Sequence, residues 1–178
     1  MQVADAQREM RAVYLGGFAG QLVSGTLWLS SAAVATWGTP RRAMALLVVG
    51  GFFIYPLTVL VLRELGQRAA LSAENPLRGP AMQVAFTVPL GLPLVLAAAL
   101  HRVEWFYPAF MILVGAHYLP FVFLYGMRMF AVLCGLLVGG GVLLGLYAPH
   151  AFALGGWLAG GADFHGFWLG RNLISSGC

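Results

Sequence analysis

Long apolar runs, interrupted only by arginines, prolines and glycine-rich breaks, fill most of this 178-residue chain. A transmembrane helix needs about 20 mainly apolar residues, and runs of that length recur along the sequence. Charged side chains make up only 9% of the residues, whereas a soluble domain carries about 25% to cover its surface. With 60% apolar residues and a mean hydropathy of +0.83, the chain is predicted to be an all-α, polytopic transmembrane helical bundle.

Six membrane-spanning helices are predicted, in a single integral membrane domain that covers residues 1–178. Their approximate ranges are 13–37, 43–62, 80–100, 105–126, 129–147 and 150–169. Most connections are short, so consecutive helices are expected to lie antiparallel and adjacent. The sixth span is the weakest, because the insertion penalty of a central Asp163 nearly cancels the contribution of its apolar side chains. This span is expected to insert with the help of packed neighbours, or to lie shallow.

All ten basic residues are arginines, and their distribution predicts the orientation of the chain. Seven fall on one side of the predicted membrane, and three, Arg41, Arg42 and Arg102, fall on the other. Because cytoplasmic loops carry the excess of basic residues, both termini are predicted to be cytoplasmic. The pair Arg41-Arg42 on the outer side runs against this assignment. Since the arginines are scattered and form no basic stripe, no nucleic-acid partner is expected.

Polar side chains at membrane depth are the candidates for a functional site, because each needs a partner or a water-filled cavity. His117 is the strongest candidate, since it lies near the middle of the fourth span and Pro120 frees the carbonyl of Ala116 beside it. The further candidate ligand-binding or pore-lining residues are Gln21, Gln83, Thr87, Tyr118 and Tyr125. The structural alternative for all of them is interhelical hydrogen bonding or aromatic packing.

Two prolines four residues apart, Pro89 and Pro93, predict a kink in the third span. A kink would expose backbone carbonyls that can line a cavity. A purely structural bend is the equal alternative.

Two other polar pairs carry weaker functional hypotheses. His101 and Glu104 have the spacing of two metal ligands, but no third ligand follows, so an interfacial belt is favoured over a metal site. Asp163 and His165 are two residues apart, which places them on different faces of a helix. Asp163 is expected either to pair with a buried arginine or histidine, or to lie among headgroups with Arg171.

Glycines four residues apart recur in the last two spans and predict close helix contacts, within a subunit or between copies. The pairs are Gly135/Gly139, Gly141/Gly145, Gly156/Gly160 and Gly166/Gly170. Gly139 and Gly160 are the positions predicted to support a homo-oligomer or a larger membrane complex.

Several of these residues resemble those of an uncharacterised bacterial family of small multi-span membrane proteins, known only as a domain of unknown function. The matching elements are Asn75-Pro76-Leu77, Gln83 and the run Gly115-Ala116-His117-Tyr118-Leu119-Pro120-Phe121. The resemblance extends over about residues 50–145, and the glycine-rich last span departs from it. It implies a helical membrane fold in the bacterial inner membrane, supplies no activity, and supports His117 as a candidate.

Three functions remain open from the sequence. The first is a small permease or channel-like protein for a small solute or proton, with a midplane site built from Gln21, Gln83, His117 and Tyr118. The second is a structural or accessory membrane subunit that packs through its glycine faces. The third, an intramembrane enzyme, is disfavoured because Glu104 and His117 lie 13 residues apart, about 20 Å along one helix. No nucleotide-binding loop, serine-hydrolase elbow or CxxC motif is present, so neither a catalytic residue nor a cofactor is predicted.

Overall fold

The computed structural model describes residues 1–148 and 150–175, with side chains described up to residue 168. Within this part of the chain the secondary structure is helical, without a strand. The helices are α1 (Val3–Tyr14), α2 (Phe18–Trp37), α3 (Pro40–Glu64), α4 (Arg78–Ala85), α5 (Thr87–His101), α6 (Phe106–Tyr125), α7 (Met129–Tyr147) and α8 (Leu154–Ser175). Short 3-10 turns, Leu15–Gly17 and Val103–Trp105, precede α2 and α6. The predicted all-α bundle is confirmed.

Among the described residues, four helical stretches are long and apolar enough to cross a membrane. They are Pro40–Glu64, Arg78–His101, Val103–Tyr125 and Met129–Tyr147, and they correspond to the second to fifth predicted spans. Only 11% of the most apolar window of the first stretch and 6% of that of the second are buried inside the protein. The apolar surfaces of α3 and α5 therefore face outward, as expected for helices in contact with lipid.

The first and last predicted spans form α2 and α8, which are 20 and 22 residues long and pack against each other. They are not among the four most apolar stretches, and their inward-facing polar residues give the reason. Gln21 and Ser31 of α2 and Asp163 of α8 are buried in the bundle. A polar side chain that faces inward lowers the hydropathy of a helix without meeting lipid. That α2 and α8 also cross the membrane stays a prediction.

Helix α6 is the centre of the bundle and packs against α5, α7 and α8. Helices α6 and α7 lie close together because each of them places a glycine at the contact. A β-carbon added to Gly141 would lie 2.7 Å from the carbonyl oxygen of Pro108, and one added to Gly115 would lie 2.8 Å from Val138 Cγ2. Only glycine fits at such contacts, so the predicted role of small residues holds at this interface.

The third predicted span is divided into two helices, and a kink at its two prolines stays a prediction. Helix α4 ends at Ala85 and α5 begins at Thr87, so the interruption lies at Phe86. Pro89 then falls in the first turn of α5, where the missing N–H loses no hydrogen bond. Pro93 lies inside α5, and the helix continues past it to His101.

The first predicted span differs from the observed helix at its start. The prediction begins at residue 13, but α1 ends at Tyr14 and α2 begins only at Phe18. Between them Gly16 and Gly17 have φ angles of 63° and 86°, a left-handed backbone that glycine adopts without strain. The break allows α1 to leave the axis of α2 and to dock elsewhere on the bundle.

Helix α1 docks on the C-terminal end of α6. Gln7 Nε2 donates to the carbonyl oxygen of Phe123 at 2.5 Å, and Arg11 Nη1 donates to that of Tyr125 at 2.5 Å. The last carbonyls of a helix have no partner inside it, and a cation is favourable there. Side chains of α1 thus cap α6.

The Asn75-Pro76-Leu77 segment holds the other side of α1. Asn75 is 3% exposed, and its Oδ1 accepts from the backbone N–H of Leu77 at 2.9 Å. Its Nδ2 donates to the carbonyl oxygen of Ala6 at 3.2 Å and to the carboxylate of Glu9 at 2.8 Å. Glu9 also accepts from the backbone N–H of Ser72 at 2.6 Å. Hydrogen bonds of this segment therefore join α1 to the connection that follows α3.

We expect the attachment of α1 to weaken at acidic pH. The hydrogen bond from the Ser72 N–H, and after it the one from Asn75, lowers the pKa of Glu9 below its ordinary value. A carboxylate with a lowered folded-state pKa stabilises a contact above its unfolded pKa, and the contribution is lost as the pH falls through the folded pKa. Hydrogen exchange of the α1 amides, corrected for intrinsic rates, should therefore rise below about pH 4.

Glu9→Gln should remove this pH dependence, because it leaves no carboxylate to protonate. Asp5→Asn is the matched control, since Asp5 pairs with Arg8 on α1 itself, and it should leave the dependence in place. Equal protection of α1 at neutral and acidic pH in the unaltered protein would contradict the prediction.

The contacts of α1 bring three arginine-bearing parts of the chain to one end of the bundle: α1, the connection 65–77 and the end of α6. The arginines in or next to these parts are Arg8, Arg11, Arg63, Arg68, Arg78 and Arg128. This grouping agrees with the one used to predict the orientation. That this end faces the cytoplasm stays a prediction, and residues 176–178 at the C-terminus lie outside the described residues.

Candidate functional site

Helix α6 separates the candidate residues into two groups. His117 and Tyr118 are consecutive, so their side chains leave the helix about 100° apart. His117 contacts Thr87 of α5, whereas Tyr118 contacts Asp163 of α8. The single midplane site expected from the sequence is thus resolved into two polar sites on different faces of α6.

The first site joins His117 and Thr87. His117 Nδ1 and Thr87 Oγ1 lie 2.6 Å apart, and Thr87 Oγ1 also donates to the carbonyl oxygen of Val84 at 2.7 Å. Because a hydroxyl has one proton and Val84 accepts it, Nδ1–H of His117 is the donor to Thr87. With Nδ1 protonated, the Nε2 of His117 is an acceptor nitrogen. Phe121 packs on the ring, with centroids 4.9 Å apart.

The second site joins Tyr118 and Asp163. The Tyr118 hydroxyl donates to Asp163 Oδ1 at 2.9 Å, and the two side chains are 6% and 0% exposed. The other carboxylate oxygen, Oδ2, has no partner among the described residues. Most buried polar atoms in proteins are paired, so a buried carboxylate with one unpaired oxygen requires an explanation.

Gln21 of α2 packs against α8 one helical turn from Asp163. It is 1% exposed, and both of its amide atoms lack a partner in the described part of the chain. A β-carbon added to Gly166 would lie 3.0 Å from Gln21 Nε2, and Gly166 follows Asp163 by three residues on the same helix face. Ser24 is also buried and lies one turn after Gln21. Gln21, Ser24, Tyr118 and Asp163 are called the polar centre below.

A buried network elsewhere in the bundle provides a contrast. The Tyr107 hydroxyl and Ser31 Oγ lie 2.6 Å apart, and Ser31 Oγ donates to the carbonyl oxygen of Ala43 at 2.8 Å. Tyr107 is therefore the donor to Ser31, and each hydroxyl proton has an acceptor. This network is complete, whereas the polar centre keeps unpaired donors and acceptors.

The remaining two candidates lie outside the polar centre. Gln83 is exposed on α4, four residues before Thr87. Tyr125 is buried among aromatic rings, with centroids 5.6 Å from Phe121 and 5.3 Å from Phe130. The contacts of Tyr125 are those of a packing aromatic.

The sequence did not place Asp163 in the site. It offered a buried arginine or histidine as the partner, or a position among headgroups, and the observed partner is instead Tyr118. The two residues are 45 positions apart, and the rotation of α8 about its axis that brings them together is not visible in a linear pattern. The available signal was a carboxylate in an otherwise apolar span, which by itself marks a functional candidate. His165 is exposed on a different face, as predicted.

Two apolar grooves lie on the surface of the bundle. One, of about 230 Å³, lies between α3 and α5. The other, of about 270 Å³, lies between α5, α6 and α7. Neither is lined by His117 or by a residue of the polar centre.

Comparison with known proteins gives a family but no activity. A model described as a family of unknown function matches residues 3–162, which is most of the chain. Nothing among curated proteins and nothing among solved structures matches. The matched range contains Gln21, His117 and Tyr118 and ends one residue before Asp163.

Proposed function

The chain belongs to this family of unknown function, DUF7010, and we propose that it is a small permease for protons or a small polar solute. The polar centre is the proposed site. The observation that carries the proposal is that Asp163 Oδ2 and, one helical turn away, the amide of Gln21 are buried in the bundle without a partner among the described residues. A buried polar group without a partner costs about 1–3 kcal/mol, and more when it is charged. A proton or a polar solute that enters the centre would remove this cost.

The chemistry of the centre fits a small ligand with both donors and acceptors. Asp163 Oδ2 accepts a hydrogen bond when ionised and donates one when protonated, and the Gln21 amide offers both functions. Ionisable residues in membrane helices commonly mark ion pathways and proton relays. Tyr118 and Ser24 hydrogen-bond to Asp163, but among the described residues Asp163 Oδ2 and the Gln21 amide stay unpaired, unlike the groups of Ser31 and Tyr107.

The pair His117 and Thr87 is proposed as a second proton-binding site. The rings of His117 and Tyr118 have centroids 6.1 Å apart, and Tyr118 is bonded to Asp163. A proton path is proposed through Thr87, His117, Tyr118 and Asp163, from the exposed side of α5 to the interior. Gln83, one turn before Thr87, is proposed at the entrance of this path.

The proposed setting is the bacterial inner membrane. The end of the bundle that carries α1 and most of the arginines is assigned to the cytoplasm, following the positive-inside rule. Reporter fusions after Gly79 and after Cys178 are both expected to report cytoplasm.

A structural or accessory subunit is the second candidate, and the open face of α7 favours it. A β-carbon added to Gly135 or to Gly139 would meet no atom within 4 Å in the described structure. Exposed apolar side chains of α7 flank them, among them Val132 and Leu136. Small residues of this kind allow a second helix to approach closely.

Proton flux into vesicles that contain a trapped pH-sensitive dye tests the proposal. Asp163→Asn keeps an acceptor for Tyr118 but cannot ionise, so flux should be abolished. Tyr107→Phe is the control, because it removes a buried hydroxyl from the complete network. It should lower stability by about 1 kcal/mol and leave flux in place.

Solute flux is measured on the same vesicles by swelling in urea or glycerol. If the unaltered protein carries neither protons nor these solutes between about pH 5 and about pH 8, the permease proposal is wrong. Equal flux in Asp163→Asn and in the unaltered protein would remove the polar centre as its site.

A further inference from the structure

The three arginines that run against the predicted orientation, Arg41, Arg42 and Arg102, lie around one apolar groove. The groove has a volume of about 230 Å³. It is lined by Met44, Ala45 and Val48 of α3 and by Leu96, Ala99 and Leu100 of α5. These are residues of the first turns of α3 and of the last turns of α5.

Each of the three arginines is close in sequence to residues that line the groove. Arg41 precedes Met44, Ala45 and Val48 by three, four and seven residues, so it lies on the same face of α3 as the lining. Arg42 is next to it in the first turn. Arg102 directly follows the last residue of α5 and comes two residues after Leu100.

These three cations have no anionic partner within the described residues. Their side chains are exposed, and the ion pair found in that part of the chain is the one between Arg8 and Asp5, at the other end of the bundle. The guanidinium of Arg102 lies over the ring of Trp105, 5.8 Å from its centroid. Tryptophan is typical of the headgroup level of a membrane. Trp105 lines the neighbouring groove between α5, α6 and α7, so the shared end of the two grooves is assigned to headgroup level.

We propose that the groove binds an anionic phospholipid, with one acyl chain between α3 and α5 and the phosphate against Arg41, Arg42 and Arg102. The acyl chain of the lipid moves from the bilayer hydrocarbon into a groove that is equally apolar. Its burial therefore adds little preference for one lipid over another. The preference comes from the headgroup, because guanidinium groups bind phosphate oxygens with charge-assisted, bidentate hydrogen bonds. Basic pockets between membrane helices recognise anionic lipids in this way. The lipid phosphate also accounts for three arginines on the side where the orientation rule expects few.

Native mass spectrometry tests the charge requirement. The purified protein in detergent is incubated with equal amounts of phosphatidylglycerol and phosphatidylcholine, and the ratio of the two bound lipids is measured. The unaltered protein should retain phosphatidylglycerol preferentially. Arg41→Gln should lower the ratio about fivefold, and the triple glutamine variant at 41, 42 and 102 should lower it on the order of a hundredfold.

A second triple variant controls for net charge. Arg63→Gln, Arg68→Gln and Arg78→Gln together remove the same charge from the other end of the bundle, and the ratio should not change. An equal fall in both triple variants, or no preference in the unaltered protein, would overturn the proposal.

The groove is tested separately from the headgroup. Ala45 lines the groove and is exposed, so Ala45→Phe should fill it and reduce bound phosphatidylglycerol with all arginines in place. Ala97→Phe is the matched control on α5, since Ala97 is exposed and does not line the groove. Inorganic phosphate should not displace the lipid. Displacement by phosphate, or full retention in Ala45→Phe, would show a headgroup site only and would overturn the assignment to the groove.

Discussion

Replacing Gly160 with leucine should destabilise the bundle strongly, whereas the same change at Gly139 should leave its melting temperature unchanged. A β-carbon added to Gly160 would lie 2.6 Å from Leu29 Cδ2 and 3.2 Å from the backbone nitrogen of Leu29. A side chain there must push α2 and α8 apart, and overpacking of this kind costs about 1–3 kcal/mol or more. At Gly139 the added carbon would meet nothing within 4 Å in the described structure. Thermal unfolding in detergent measures the difference.

The two variants are matched, because both place leucine in the interior of a helix and gain the same intrinsic propensity. Their different surroundings alone should separate them. An equal loss of stability in both, or none at Gly160, would contradict the packing described for α2 and α8.

Gly139→Leu also separates the two proposed functions. If copies of the chain associate through α7, the variant should shift the mass measured by light scattering from oligomer to monomer without a change in melting. An unchanged mass would show that this face does not hold a second copy.

Helices whose boundaries depend on local composition were predictable from the sequence. The predicted ranges 43–62, 105–126 and 129–147 correspond to Pro40–Glu64, Phe106–Tyr125 and Met129–Tyr147. Two of these helices end next to a residue of this kind, α3 at Glu64 after Arg63 and α6 at Tyr125 before Gly126, whereas Pro56 and Pro120 lie inside their helices. The start of the first span was wrong because Gly16 and Gly17 adopt a left-handed backbone that lets α1 dock on α6, a contact between distant parts of the chain.

The identity of several polar residues was predictable, but their grouping was not. Hydropathy places His117 and Tyr118 at membrane depth, and their adjacency in sequence makes one shared site an attractive hypothesis. Which neighbour each side chain meets depends on how α5 and α8 are rotated about their axes. Thr87 lies 30 residues before His117, and Asp163 lies 45 residues after Tyr118. No local pattern encodes those rotations.

His117→Gln is expected to leave the protein folded and to abolish pH-dependent proton flux. A glutamine amide can still donate to Thr87 and accept a further hydrogen bond, but it does not titrate. An imidazole changes its charge when it takes up a proton, and the assay covers about pH 4 to about pH 8. Flux is measured in vesicles across that range, and melting in detergent confirms that the variant is folded.

The stability of His117→Ala tests whether the imidazole has a structural role rather than a role in proton flux. Loss of one hydrogen bond between membrane helices lowers stability by about 0.6–2 kcal/mol. If His117→Ala shows only this loss, and flux keeps its pH dependence in His117→Gln, then His117 serves to join α5 and α6.

A double variant tests whether the two proposed proton-binding sites, at His117 and at Asp163, belong to one path. If protons pass through both His117 and Asp163, either single variant already stops the flux, and His117→Gln combined with Asp163→Asn should be no worse than either alone. Effects of residues that act as a unit are non-additive in this way, whereas effects of independent sites add. Residual flux in each single variant that falls further in the double variant would mean two separate routes. The 6.1 Å between the rings of His117 and Tyr118 would then be packing rather than a connection.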